Sequence, residues 1–300
     1  MRTLKSICLL LTVLISFSCN ADKKTPVADT NAPSEKVEKN IGLQMYSLRD
    51  DIGQNAENVE SIITKIGEMG YKYVETASYW EGLIYGMDPE TFKAKIEAAG
   101  LTALSCHVGK EIMEDKDALW AWWDLCIETH KKAGMKYIVT PSMPTPETLE
   151  GLKEYCDYYN QIGEKCKAAG MKFGYHNHAF EFEKVYEDGT VMYDYMVQNT
   201  DPDKVFFELD VYWSEKGKRT ASELFNKYPN RFDVLHIKDD AELGASGEIN
   251  FEDIFNNLDK AGTKYLIVEV ERYNFPAIES VKRSLDYLNN ASFVKADYSK

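Results

Sequence analysis

The chain has 300 residues, 28% of them charged, and a formal net charge of −14, which becomes −16 once Arg2 and Lys5 leave with an N-terminal leader. So acidic a balance repels a nucleic-acid backbone or an anionic membrane surface, which excludes nucleic acid as a partner and favours neutral small molecules. Cys106, Cys126, Cys156 and Cys166 form no close metal-type pair and are too sparse for a disulfide framework, so they read as ordinary buried thiols.

Residues 1–19 have the layout of a lipoprotein signal peptide. Arg2 and Lys5 make a positive start, Ser6 to Phe17 is an apolar run too short to span a membrane, and Ser18 is a small residue suited to cleavage. Cys19 follows directly, as in a bacterial lipobox, although Ser16 stands where Leu is usual. Two acyl chains on Cys19 would anchor the protein to a membrane in the cell envelope, periplasmic or outer-membrane. Soluble secretion with a leftover Cys19 is the alternative. Residues 20–40, polar and containing Pro26 and Pro33, read as a flexible tether.

Residues 41–290 alternate between short apolar runs and longer amphipathic stretches. The runs are Ile41–Met45, Tyr73–Val74, Leu101–Cys106, Tyr137–Thr140, Lys172–Tyr175, Val205–Leu209, Val234–Ile237 and Tyr265–Val268, eight strand candidates. Helical spacing appears at Val59, Ile62, Ile63, Ile66 and Met69, at Phe251, Ile254, Phe255 and Leu258, and at Ile278, Val281, Leu285 and Leu288. Gly70, Gly100, Gly134, Gly170 and Gly262 each stand just before a strand candidate, where a left-handed C-cap ends a helix. Eight βα units of this length predict a (β/α)8 TIM barrel, with residues 291–300 as a tail. No Gly-x-Gly-x-x-Gly follows the first strand, which weighs against a dinucleotide-binding fold.

In a parallel barrel the carboxyl ends of the strands share one face, and chemistry is done there. Asp210, His236 and Glu269 end the sixth, seventh and eighth strands; His107 ends the third, and His176 and His178 the fifth. Each alone is most simply a hydrogen-bonded strand end. Together, oxygen and imidazole donors of this mixture suit one divalent cation, Mn, Zn, Co, Mg or Fe.

The segments Gly42–Asp50, His176–Phe182, Glu208–Trp213, His236–Asp239 and Ile267–Glu269 resemble, in order, those of the sugar phosphate isomerase/epimerase superfamily, the xylose isomerase-like TIM barrels. The resemblance covers nearly all of residues 41–290. It implies one divalent cation held by Glu, Asp, His and Glu from the fifth to eighth strands, and Asp210, His236 and Glu269 match the last three. The fifth-strand position departs from the pattern, because His176 replaces the Glu; His176 is the preferred ligand, with Glu181 as the alternative. The family's epimerases resemble two-base enzymes, so losing one Glu puts two-base epimerisation in doubt. A cation with one His base suits β-elimination, hydration or one-base isomerisation.

His178, His107, Glu269 and Lys238 are the catalytic candidates. An imidazole titrates near neutral pH, and Lys238 could stabilise an enolate oxygen or pair with Asp239 or Glu271. Glu75 is expected to bind substrate or pair with a Lys. Tyr46 and Trp213 lie where flat rings can stack on a sugar. His130, beside Lys131 and Lys132, is expected on the solvated surface. The seventh and eighth loops carry acidic residues and no phosphate-gripping Gly run, which favours an uncharged keto-sugar or 3-keto-glycoside. The expected activity is epimerisation, isomerisation or β-elimination through an enediolate. A non-catalytic carbohydrate-binding lipoprotein is the alternative, and a homo-oligomer is left open.

Overall fold

A computed structural model describes residues 38–53 and 56–300. The leader, Cys19 and most of the tether lie outside the described residues. Eight parallel strands close into a barrel: β1 (Ile41–Gln44), β2 (Tyr73–Thr76), β3 (Thr102–His107), β4 (Tyr137–Thr140), β5 (Lys172–His176), β6 (Val205–Asp210), β7 (Val234–Lys238) and β8 (Tyr265–Glu269). Each pairs with its neighbours in sequence, and β1 pairs with β8 to close the ring. The five glycines that follow helices all have positive φ, from 72° at Gly100 to 102° at Gly70, a conformation that an L side chain resists. The predicted (β/α)8 barrel is therefore the fold.

Strand side chains alternate in direction, and this positions the site. One parity, including Leu43, Val74, Ile138, Phe173, Phe207, Leu235 and Val268, packs outward against the helices. The other fills the barrel with a separate cluster of Tyr73, Leu104, Tyr137, Val139, Phe206, Val234 and Ile267. Its rings meet edge to face, with Tyr73 and Tyr265 at 5.4 Å and Tyr137 and Phe206 at 5.1 Å. Gly42 and Gly174 share this parity; a Cβ on Gly42 would come within 2.2 Å of the Tyr73 ring, and one on Gly174 within 2.5 Å of the Phe206 ring. Two residues further along the same parity come Gln44, Glu75, His176, Glu208, His236 and Glu269, so a polar layer sits directly above an aromatic floor. Between β2 and β3 the register slips by one residue, pairing Val74 with Ala103 but Glu75 with Ser105.

Residues 291–300 fold back on the body. Val294 is buried, Phe293 and Tyr298 pack against Phe255, and the Asn40 N–H donates to the Ala296 carbonyl at 2.7 Å. Lys39 is buried too, and its ammonium donates to the Leu288 carbonyl.

Candidate metal and active site at the barrel mouth

Four of the inward side chains, His176, Asp210, His236 and Glu269, each offer a ligand atom, and these atoms lie within 4.8 Å of one another. All four residues are buried. Asp210 Oδ1 accepts the Trp213 N–H at 2.9 Å, capping the short helix Val211–Lys216. The Asn177 amide locks the Asp210 backbone, its oxygen accepting the N–H at 3.1 Å and its nitrogen donating to the carbonyl at 3.3 Å. Asp210 Oδ2 and His176 Nδ1 are buried without a hydrogen-bond partner. Buried polar atoms are rarely left so, and two of them in a His/Asp/His/Glu set fit a divalent cation. Burial pushes the Asp210 carboxyl up to about 7, against the attraction of Lys238. Burial would raise Glu269 as well, but the hydrogen bond and charge of His236 hold it at about 2.

His236 faces carboxylates on both sides. Its Nδ1 is 3.4 Å from Glu269 Oε2, and its Nε2 is 2.7 Å from Glu75 Oε1 and 3.2 Å from Glu208 Oε2. His107 Nε2 lies between the same two glutamates, 2.6 Å from Glu208 and 3.0 Å from Glu75. Burial opposes a charge on His107, yet these two carboxylates keep its pKa at about 10. Gln44 donates to Glu75 Oε1 at 2.7 Å. Glu75 thus lies fully buried within this polar layer, bonded to Gln44, His107 and His236, rather than facing substrate or a Lys.

Above the polar layer opens a cavity of about 340 Å³, lined by Tyr46, His107, His176, His178, Glu269 and Glu271 among others. That volume suits a small molecule. A broader groove of about 1430 Å³ shares no residue with it. His178 is half-buried; its Nδ1 has no partner, and its ring packs 5.5 Å from that of Trp213. Trp213 is not itself part of the cavity wall. Tyr46 is 45% exposed at the rim, with the Arg49 guanidinium 4.6 Å over its ring. Lys238 is buried and pairs with Glu271 at 3.2 Å, and its ammonium is 3.8 Å from Glu269.

The structure brings His176, Asp210, His236 and Glu269 together and leaves Glu181 out. The Glu181 carboxylate accepts the Tyr175 hydroxyl at 2.7 Å and the His178 N–H at 2.8 Å, beside the ligand set. Glu208 is the functional candidate that sequence reasoning missed; its signal is its place two residues before Asp210, on the same face of β6. His130 corrects an expectation. It is fully buried in helix Lys116–Lys132, with Nδ1 2.8 Å from the Cys126 carbonyl oxygen, and burial pushes its pKa down to about 4. The helix turns that face inward, where Tyr79 packs on the imidazole at 5.0 Å. Cys106, Cys126, Cys156 and Cys166 are buried and free, as expected.

A closed eight-stranded barrel whose mouth gathers imidazoles and carboxylates is the architecture of a (β/α)8 protein with its site at the carboxyl ends of the strands. Residues 63–291 match the xylose isomerase-like TIM barrel family, and the chain belongs to it. A sugar phosphate isomerase/epimerase structure from Parabacteroides distasonis is 37% identical, with a TM-score of 0.78 covering 86% of this chain and 100% of that one. An inosose dehydratase from Geobacillus kaustophilus is 23% identical over 223 residues, 66% of this chain and 68% of that protein. The IolI protein, whose structure holds a zinc atom, is 14% identical; its TM-score of 0.65, covering 87% of this chain and 100% of that one, is a likeness of fold.

Proposed function

We propose that this chain is a metal-dependent carbohydrate enzyme that removes a proton next to the carbonyl of a non-phosphorylated keto-sugar or 3-keto-glycoside. The observation that carries this reading is the pair of unpartnered buried atoms, Asp210 Oδ2 and His176 Nδ1, in a four-residue ligand set beneath a 340 Å³ cavity. His176, Asp210, His236 and Glu269 would hold the cation. When bound, a divalent ion supplies a Lewis acid that makes a C–H beside a carbonyl more acidic.

The protein's own groups then divide the work. His178, on the cavity wall and outside the ligand set, accepts the proton. Lys238, braced by Glu271, presents positive charge to the enediolate oxygen that develops. Tyr46 offers a flat ring at the rim against the apolar face of a sugar. With an imidazole at the fifth-strand position, one base acts on one face, which favours β-elimination or isomerisation over two-base epimerisation. The inosose dehydratase likeness supports an elimination.

The test is the metal content of the purified full chain and of Asp210→Ala after dialysis without chelator. About one divalent ion per chain lost in the variant is expected, since the removed carboxylate is one of the ligands. No metal in either protein after soaking in Mn, Zn or Co would overturn the enzyme reading in favour of carbohydrate binding alone.

We also propose that Cys19 carries acyl chains that tether the barrel to the cell envelope, on the strength of the leader preceding it. Cells expressing the Cys19→Ser variant should lose both labelling of the protein by radioactive palmitate and its recovery with membranes. Unchanged labelling would refute the anchor.

A further inference from the structure

Beside the mouth cavity lies a second one of about 510 Å³, which the ligand set and the proton transfer leave without an occupant. Its walls are residues 109–111 after β3, residues 140–144 at the end of β4 and beyond, and Tyr155 and Tyr159 of the helix Leu149–Ala168. Both loops leave the carboxyl ends of their strands, so the second cavity belongs to the same pole of the barrel as the first. The two cavities have Pro141 and Ser142 in common and adjoin there. On the β3 side, His107 in the wall of one stands two residues before Gly109 in the wall of the other.

Both walls are held in place. The Val108 N–H donates to the Val139 carbonyl at 2.9 Å, and the Tyr158 hydroxyl donates to the Lys110 carbonyl at 2.9 Å. A Cβ on Gly109 would come within 3.1 Å of Thr140 Cγ2, so a glycine lets the β3 loop lie close against β4. The β4 loop carries Pro141, Pro144 and Pro146, each with a fixed φ, and buries Met143; the Tyr186 hydroxyl donates to the Pro146 carbonyl at 3.1 Å. A cavity between pinned loops is preformed and loses little freedom when a ligand enters. Its chemistry is that of a sugar site. The half-buried Tyr155 ring, 6.1 Å from that of Tyr159, offers a flat face, while Ser142, Lys110 and Glu111 on the exposed side offer donors and acceptors for hydroxyl groups. One cation and one anion cancel, so the wall suits an uncharged polyhydroxyl group better than a phosphate or a carboxylate.

We infer that the cavity between the β3 and β4 loops is a subsite for a second sugar ring, the leaving group, so that the substrate is a keto-disaccharide and not a free keto-sugar. The mouth cavity, at about 340 Å³, lies near the lower end of the range for small-molecule sites, about 300–1,000 Å³, and a substrate of two rings needs the neighbouring space. The inference rests on the proton removal proposed above and gives it a direction. The proton comes from the carbon between the carbonyl and the anomeric carbon. The bond from the anomeric carbon to the glycosidic oxygen then breaks, and its electron pair leaves on that oxygen, which takes up a proton. One disaccharide yields one free sugar and one unsaturated keto-sugar, with no oxidant, reductant or water consumed. Contacts to the departing ring in the second cavity align the reacting ring in the first, so a substrate without that ring loses rate as well as affinity.

The experiment separates the subsite from the reaction. Full-length protein is given cellobiose and maltose carrying a 3-keto group on the non-reducing ring, and the methyl 3-keto-glucosides of the same two anomers, with release of glucose or methanol followed by proton NMR. Binding of the unreactive cellobiose, maltose and methyl glucosides is measured in parallel by calorimetry. The variants are the exposed pair Lys110→Ala with Glu111→Ala and, separately, Tyr155→Ala, with circular dichroism melts to verify folding. One disaccharide is expected to exceed its methyl counterpart in kcat/KM by about tenfold or more, and both variants should lower that ratio by a similar factor. Equal kcat/KM for disaccharide and methyl glycoside, or a preference that both variants keep, overturns the subsite and leaves the proposed reaction standing. No turnover, with disaccharide binding that the variants weaken at least tenfold, supports the subsite and removes the reaction. Neither turnover nor binding overturns both.

Discussion

Replacing His178 with Gln is expected to slow proton exchange next to the substrate carbonyl by about 10²–10⁴-fold, the span a positioned general base contributes, with metal content unchanged. Four residues compete for the role, and their partners decide among them. His107 is held between Glu75 and Glu208, Lys238 is paired with Glu271, and Glu269 belongs to the ligand set. His178 alone of the four lines the cavity with an unpartnered ring nitrogen and no place in the ligand set. Its ring is fixed by Phe180 and Trp213, and its backbone by the bond to Glu181. Proton NMR in heavy water, on a panel of ketohexoses and 3-keto-glucosides, reads the exchange at the carbon beside the carbonyl. A His178→Gln enzyme that exchanges at the parent rate would assign the proton transfer elsewhere and leave His178 as part of the cavity wall.

What the sequence made legible was local. The barrel was written in eight short apolar runs and in five glycines placed after helices, because a C-cap and a strand are both short-range features. Asp210, His236 and Glu269 were legible for the same reason, as polar residues closing apolar strands. The pairing of Glu75 and Glu208 with the histidines of the same layer was not. Glu75 meets His236 across the barrel interior, a partnership between residues 161 positions apart that spacing cannot encode. Glu208 stands inside an apolar run, and only its shared parity with Asp210 on β6 turns it into the barrel. His130 departs from expectation for a different reason, because the charged Lys131 and Lys132 beside it are the mark of an exposed stretch. Leu119, Trp123, Cys126, Ile127 and His130 recur at three- and four-residue steps, and all five are buried. That stripe, not the neighbouring charges, sets the face on which His130 lies.

Glu181→Gln is expected to remove a pH dependence of stability on the order of 3 kcal/mol. The carboxyl is fully buried, and burial pushes its pKa from an ordinary 4.5 up to about 7, against the hydrogen bonds from Tyr175 and His178 that favour the charged form. Across that interval the folded protein holds a proton that the unfolded chain has released. The native state therefore binds more protons, and stability falls as pH rises from about 4.5 to about 7, then levels off. A tenfold difference in proton affinity between the folded and unfolded states corresponds to about 1.4 kcal/mol, which makes about 3 kcal/mol an upper figure for this group. A glutamine of the same shape accepts the His178 N–H through its oxygen and presents its nitrogen to the Tyr175 hydroxyl, and it does not titrate. Urea denaturation of parent and variant at pH 5 and pH 8 cancels the groups they share. The variant should be close to the parent at pH 5 and more stable at pH 8. An equal difference at both values would mean that Glu181 is ionised in the folded protein throughout, with the two hydrogen bonds outweighing its burial. The link to activity is geometric, because the same carboxyl anchors the backbone of His178, and the charged form accepts that N–H more strongly than the neutral one.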